Sequence, residues 1–451
     1  MNRQGWIKTM ALAGGLGVAA AVALLPLSGL PWEGQKCLAM SLCAIVWWSA
    51  GVMHPGYTSM ALLLGFSMLL DPATVPGTMV VGGFLIAQAV NESGLGRRVS
   101  LHFVRRYVRS YFGVVVSCYV LGFLLSFIIP HPWPRSFLLM SVMHNVIRQA
   151  HLKREYAANV GLAVFIGSIP TSMILLTGDS VLNPLMAEMS GKGVSYLGWL
   201  LYMGIPGVFA SVATCCLQLM LVKAPPDFNL DRGEIDEQIR LAGPLAGKEK
   251  KTIAILAVGI ALWVTDSLTG IHPGWVALLC VLALAMPFAG VLGPKSWHHV
   301  NLGTLLFLCA ALAVGVVGKA TGMNAWLAEV MLPTPHKSGI AAFMVVAVGV
   351  CVALHMFLGS TMAVAGIAGP SIIAYGAASG IPPMAAAMTV YFAIVLHWLF
   401  PFHHMNILVG LGEDAGGFGD KPVVRFGLYQ TAVMGATCVV GALWWELAGL
   451  L

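Results

Sequence analysis

The chain has 451 residues, a formal net charge of +6, 58% apolar and only 9% charged residues, and a mean hydropathy of +0.85. Soluble domains carry roughly 25% charged residues, so a soluble enzyme or a nucleic-acid-binding module is excluded and a polytopic helical membrane protein is expected. The positive surplus then marks the cytoplasmic side of a bilayer rather than an acidic partner.

Taken in order, Met1–Lys8 and the apolar run to Leu25 read as a retained first helix, because no small-residue cleavage site follows. A span needs roughly 20 apolar residues. About eleven transmembrane helices are predicted, at 9–29, 36–53, 55–72, 78–94, 155–178, 195–222, 251–268, 272–289, 301–320, 384–411 and 424–449. Two further stretches, 111–147 and 339–377, are predicted as re-entrant helical hairpins. The first carries Pro130-His-Pro-Trp-Pro-Arg135, and three prolines in five residues do not continue a helix. The nine cysteines lie in or beside apolar runs without a CxxC pair, and read as buried, reduced thiols.

The one sizeable polar linker, Lys223–Lys251, divides the chain into halves that repeat each other. Met53-His-Pro-Gly-Tyr57 returns as Ile271-His-Pro-Gly-Trp275, and Glu92-Ser-Gly-Leu95 returns 228 residues later as Ala320-Thr-Gly-Met323. That offset lays Pro130–Arg135 on Leu358–Ala363; a three-residue slip lays Ile169-Pro-Thr-Ser172 on Phe400-Pro-Phe-His403. The expected organisation is an amino-terminal helix (1–35), a first repeat (36–222), a linker (223–251) and a second repeat (252–451). With a cytoplasmic amino terminus, 19 of the 24 Lys and Arg residues fall inside; Lys36, Lys192, Lys319 and Lys337 fall outside and Arg135 lies in the hairpin. Arg97–Arg109 holds five arginines and its counterpart Asn324–Lys337 none. Equivalent segments thus face opposite sides, and the repeats are inverted. The Arg-rich segment itself reads as an amphipathic helix at the cytoplasmic interface.

Inverted repeats with broken helices place a binding site near the bilayer midplane. The candidates for substrate are Arg135, Thr171, Ser172, Ser360, Thr361, His403, His404 and Asn406; those for Na⁺ are Ser168, Thr177, Asp179, Gly359 and Ser360. Each is a hydroxyl, amide, charge or helix breaker inside apolar sequence. Helix amino termini at breaks suit an anion, and freed carbonyls suit a hard cation. The bland alternatives are concrete: membrane Ser and Thr often bond back to their own helix, Arg135 can snorkel to the interface, and Asp179 can cap a helix. His403 and His404 point about 100° apart on a helix, which disfavours a shared metal. His298-His299 reads as interfacial, and His54 and His272 as structural.

In Leu262-Trp-Val-Thr-Asp-Ser-Leu-Thr-Gly-Ile-His-Pro273, in Gly82–Leu95, and in the hairpin-then-broken-helix order of both halves, the chain resembles the divalent anion:sodium symporters. The resemblance implies a secondary transporter rather than an enzyme. It would carry a small di- or tricarboxylate by alternating access, coupled to Na⁺ or to H⁺, in the inner (plasma) membrane, as a homodimer and without an organic cofactor. Members carry a Ser-Asn-Thr motif at each hairpin tip and a Thr-Pro-Pro-Asn-like motif in each broken helix. Here Gly359-Ser-Thr361 keeps part of the second tip, and His403-His-Met-Asn406 keeps only the asparagine. Pro130–Arg135 replaces the first tip, and Thr177-Gly-Asp-Ser180 departs from the first broken-helix motif. Arg135 is therefore expected to supply the positive charge of a lost first Na⁺ site. The alternatives are an uncoupled anion channel or uniporter and, further off, a membrane-embedded enzyme using His403, His404 and Asp179.

Overall fold

The computed structural model describes all residues except 1–2, 26, 51, 53–57, 59–61, 63–65, 67–77, 192–193, 231, 272, 287–288, 294, 297–301, 334–338, 359–360 and 413–414. The predicted roles of His54, His272, His298-His299, Gly359 and Ser360 fall on residues outside that description. The regular structure of the described residues is entirely helical. The first part of the chain forms α1 (Arg3–Leu24), α2 (Trp32–Ser49), α3 (Thr78–Ser93), α4 (Leu95–Tyr107), α5 (Tyr111–Ser126), α6 (Pro132–Gln149), α7 (Arg154–Ser172), α8 (Leu182–Met189) and α9 (Tyr196–Leu221). The middle forms α10 (Gly233–Ala242), α11 (Gly247–Val264), α12 (Asp266–Thr269) and α13 (Pro273–Ala285). The last part forms α14 (Leu302–Ala320), α15 (Met323–Met331), α16 (Gly339–Leu358), α17 (Thr361–Ala378), α18 (Pro383–Val395), α19 (Met405–Gly410) and α20 (Asp420–Leu447).

Predicted spans and observed helices agree to within a few residues at 78–94, 195–222, 301–320 and 424–449. The span expected at 272–289 shows a shorter helix, Pro273–Ala285, and the span at 251–268 is divided at Thr265 into α11 and α12. By length and composition, α9, α16, α17 and α20 are each long and apolar enough to cross a membrane among the described residues.

Local chemistry sets the boundaries. Ser110 caps α5 by accepting from the Gly113 amide at 3.1 Å, and Ser195 caps α9 by accepting from the Gly198 amide at 2.9 Å. Proline at the first helical position opens α6, where its missing N–H is harmless. Gly94 and Gly322 sit at φ +82° and +75° at equivalent joints, each opening the next helix. An L side chain is strained there.

One large core unites α3–α9 with α16–α20, and a smaller one joins α2, α14 and α15 around Cys37, Ala310 and Met323. Lipid tails are as apolar as leucine, so such helices are held by close packing and by internal polar bonds. Close packing is visible where a Cβ on Gly161 would lie 1.9 Å from the Gly416 carbonyl, and one on Gly427 2.1 Å from the Trp398 carbonyl. The polar linker proves to be a brace. Its α10 buries Ile235, ties Arg105 to Asp236 at 2.6 Å and pairs Glu234 with Arg148 and Gln149 at the end of α6. Beside it, Arg98 of α4 grips both oxygens of Glu249 at 2.6 and 3.0 Å.

Candidate functional site

The site begins where helices stop. α5 ends at Ser126, Pro130 offers no N–H, His131 is extended, and α6 starts at Pro132 with Arg135 in its first turn. α7 carries Pro170 near its end and gives way at Leu175 to a 3₁₀ turn, Leu176–Gly178, before α8. A Cβ on Gly178 would lie 2.3 Å from the Ser172 carbonyl, so this turn accepts only glycine. The two breaks meet: the Ser180 amide donates to the Pro130 carbonyl at 2.8 Å.

Arg135 fills the space between them and has no solvent exposure. Its Nη1 donates to the carbonyls of Ile129 and Gly178, both at 3.1 Å. Its Nη2 donates to the Ser168 carbonyl at 3.2 Å and to the Ser172 hydroxyl. Ile129 and Gly178 lie outside the α-helices, so their carbonyls lack intrahelical donors and the guanidinium satisfies them. The Nε–H has no partner, and no carboxylate of the described residues lies within ion-pair distance. Asp179, an attractive charge acting on Arg135, is spent as a cap: its Oδ1 accepts from the amides of Val181 at 2.9 Å and Leu182 at 3.2 Å. A guanidinium bonded to neutral oxygens, with Asp179 acting on it only from beyond ion-pair contact, leaves a positive field inside the protein. Such a charge costs about 2.5–3.5 kcal/mol at a helix centre on insertion scales. Arg135 does not snorkel.

Next to it the halves of the chain join. Asn406 Nδ2 donates to the Ser136 hydroxyl at 3.3 Å, Ser136 to the Ser168 hydroxyl at 2.8 Å, and Ser168 to the Val164 carbonyl at 2.8 Å. Asn183 donates to the carbonyls of Ser172 at 2.9 Å and Leu175 at 2.8 Å, closing the broken end of α7, and accepts from the Tyr391 hydroxyl of α18. Ser136, Asn183 and Tyr391 were not among the sequence candidates. The signal for Ser136 was adjacency to Arg135, and for Asn183 its place four residues after Asp179; Tyr391 carried none.

The second break runs from the end of α18 at Val395 through a 3₁₀ turn, Pro401–His403, to α19. Here three histidines meet: His355 with His397 and His403, ring centroids 5.5 and 5.0 Å apart. Their partners fix the protons. The Leu399 amide donates to His403 Nδ1 at 3.1 Å, so that nitrogen is bare. His355 Nε2, 2.9 Å from the His403 carbonyl, must donate, and in neutral His355 the bare Nδ1 then accepts from His397 Nδ1 at 3.4 Å. His355 and His403 stack at 28°, an arrangement that does not converge lone pairs on a metal, and no metal-binding group of three or more ligands occurs among the described residues.

The remaining candidates separate from this cluster. Thr171 donates back to the Gly167 carbonyl at 2.8 Å. Thr177 is buried in the 3₁₀ turn. His404 is buried against Trp398 with both ring nitrogens unpartnered. Thr361 is buried at the start of α17, outside the Arg135 hydrogen bonds. Of the predicted residues, the structure therefore brings together Arg135, Ser168, Ser172 and Asn406.

The profile of the sodium:sulfate symporter transmembrane region matches residues 6–451. The chain belongs to that family. It is a divergent divalent anion:sodium symporter-type transporter and not an enzyme. It is 24% identical to dicarboxylate transporter 1 of the Spinacia oleracea chloroplast over 85% of this chain and 69% of that protein. It is 23% identical to the sodium-dependent dicarboxylate transporter SdcS of Staphylococcus aureus over 66% of this chain and 65% of that one. Among solved structures it is similar in fold to the Alcanivorax borkumensis YdaH transporter, at a TM-score of 0.55 and 15% identity, over 99% of each chain. At the first break, the oxygens that would suit a cation are held by Arg135.

Proposed function

We propose that this protein carries a small dianion, a dicarboxylate foremost, by alternating access, with Arg135 standing as a tethered cation at the first break. The observation that carries this reading is the contact set of Arg135: three carbonyls and one hydroxyl, the ligand type a hard cation takes, around a guanidinium with no carboxylate in ion-pair contact among the described residues. The substrate class follows the spinach and Staphylococcus relatives, and Na⁺ coupling follows the latter. Any Na⁺ would sit at the second hairpin, near Thr361. The hydroxyl and amide chain through Ser136, Ser168 and Asn406 supplies donors that would orient carboxylates.

We read the halves as inverted repeats. Tyr111 and Gly339, which open α5 and α16, lie 228 residues apart, like the left-handed Gly94 and Gly322. With the arginine-rich segment inside, we read the linker and amino terminus as cytoplasmic, the carboxyl terminus as external, and two re-entrant hairpins among eleven spans of a plasma-membrane protein. Both arms of the second hairpin are long enough to cross outright, so its re-entry rests on pairing with the first. A homodimer through the early helices of each half completes the picture.

The test is uptake of radiolabelled malate and succinate by proteoliposomes, with and without sodium, for wild type and Arg135→Ala. Loss of roughly tenfold or more in the variant is expected, since charged hydrogen bonds contribute about 1.5–3 kcal/mol each. Equal transport would remove Arg135 from the mechanism. The histidine trio favours a second reading of the coupling ion. A proton added to the His355–His397 pair would be shared between two imidazoles, so a transmembrane pH gradient would drive uptake without sodium.

A further inference from the structure

A cavity of about 970 Å³ lies away from the transport site, between the amphipathic α4 and the start of α11. Five guanidiniums line it: Arg98, Arg105, Arg106, Arg109 and Arg232. Glu249 holds Arg98, Asp236 holds Arg105 at 2.6 Å, and Arg232 donates to the Val108 carbonyl at 2.9 Å. Arg106 and Arg109 are exposed, and neither pairs with a carboxylate of the described residues. Five positive charges thus face two carboxylates.

The rest of the lining is apolar. Phe103 and Val99 line the α4 side, and Leu245 and Ile253 the other, with Ile253 40% exposed. Eleven residues along α11, on the same helical face as Ile253, Val264 is 37% exposed. A basic mouth above an apolar track fits an amphiphile, whereas a soluble anion would leave the track uncovered. Surplus guanidinium at a membrane boundary is the chemistry that captures anionic headgroups.

We propose that this cavity binds the phosphate of an anionic phospholipid, gripped by Arg106 and Arg109, with an acyl chain over Ile253 and Val264. Because α4 and α6 are both tied to α10, the bound lipid would brace the outer end of the first hairpin. This site stands whether or not the transport reading does.

The test is native mass spectrometry of the intact protein released from micelles doped with phosphatidylglycerol or phosphatidylcholine. The arms are wild type, the double variant Arg106→Gln/Arg109→Gln, and Lys248→Gln as a charge control outside the cavity. Selective retention of phosphatidylglycerol is expected, lowered about thirtyfold in the double variant and unchanged in the control. Far-UV circular dichroism checks that the double variant is folded; if it is not, Arg106→Lys/Arg109→Lys, which keeps the charges, must retain the lipid while Arg106→Gln alone weakens it. Equal retention of the two lipids, or full retention by a folded double variant, would overturn the proposal. So would displacement of phosphatidylglycerol by millimolar inorganic phosphate, which would assign the arginines to a soluble anion.

Discussion

Asn406 reaches across 270 residues of sequence to donate to the Ser136 hydroxyl at 3.3 Å, and its amide also donates to the Phe165 carbonyl. One side chain from the second break thereby locks a hydroxyl beside Arg135 to the first broken helix. Asn406→Ala is expected to lower malate uptake at least as much as Ser136→Ala, because it removes the hydrogen bonds to both the Ser136 hydroxyl and the Phe165 carbonyl, at about 0.5–1.5 kcal/mol each. Uptake and the midpoint of thermal unfolding, measured on both variants, check the order; a milder Asn406→Ala would count against it.

Arg135→Ala leaves four oxygens facing an emptied space. If the guanidinium stands in for a cation, transport by this variant should return in part when sodium is raised, whereas wild type shows no such requirement at this break. A sodium titration of the variant reads this directly. A flat response would leave Arg135 as a helix-end cap alone.

Tyr391 and Asn183 offer a graded pair. Tyr391→Phe removes one hydrogen bond to the Asn183 Oδ1 and should cost about 1 kcal/mol. Asn183→Ala also removes the donor to the Ser172 carbonyl and leaves the Leu175 carbonyl to the Gly178 amide alone, so it should cost more, about 2–4 kcal/mol in denaturant unfolding. A ranking in the other direction would overturn this accounting, since Tyr391→Phe keeps the ring that packs on Trp199, 5.9 Å away.

Glu249 lies before the span predicted at 251–268. Burial alone would raise its carboxyl, but the Arg98 guanidinium and the Ala246 amide hold it below the usual carboxylate range. A depressed folded-state value means that its stabilisation is complete above the unfolded value near 4.5 and is lost as pH falls through the folded value. Thermal melts of wild type and Glu249→Gln should differ at pH 7 and converge below pH 4.5. A constant gap across that range would exclude the linkage.

Glycine at 161 should tolerate no side chain. A Cβ would lie 1.9 Å from the Gly416 carbonyl, backbone that cannot rotate away. Overpacking of this kind costs about 1–3 kcal/mol or more, so Gly161→Ala should lower the unfolding midpoint, while Gly14→Ala, with open space around it, should not.

Apolar run length and proline placement settled the helical class and most helix limits from sequence, because in lipid every backbone group must bond within its own helix. The same rule marked Pro130–Arg135 as a place where helices stop. Gly94 and Gly322, which the repeat aligns, both take left-handed joints. Local chemistry does not say which freed carbonyl meets which donor. Only the packed chain set Arg135 between two breaks, joined Asn406 to Ser136, and stacked His355 on His403. Those outcomes depend on residues 33 to 270 positions apart meeting in a dry interior, where the geometry of each hydrogen bond, and not the residue type, decides what a polar side chain does.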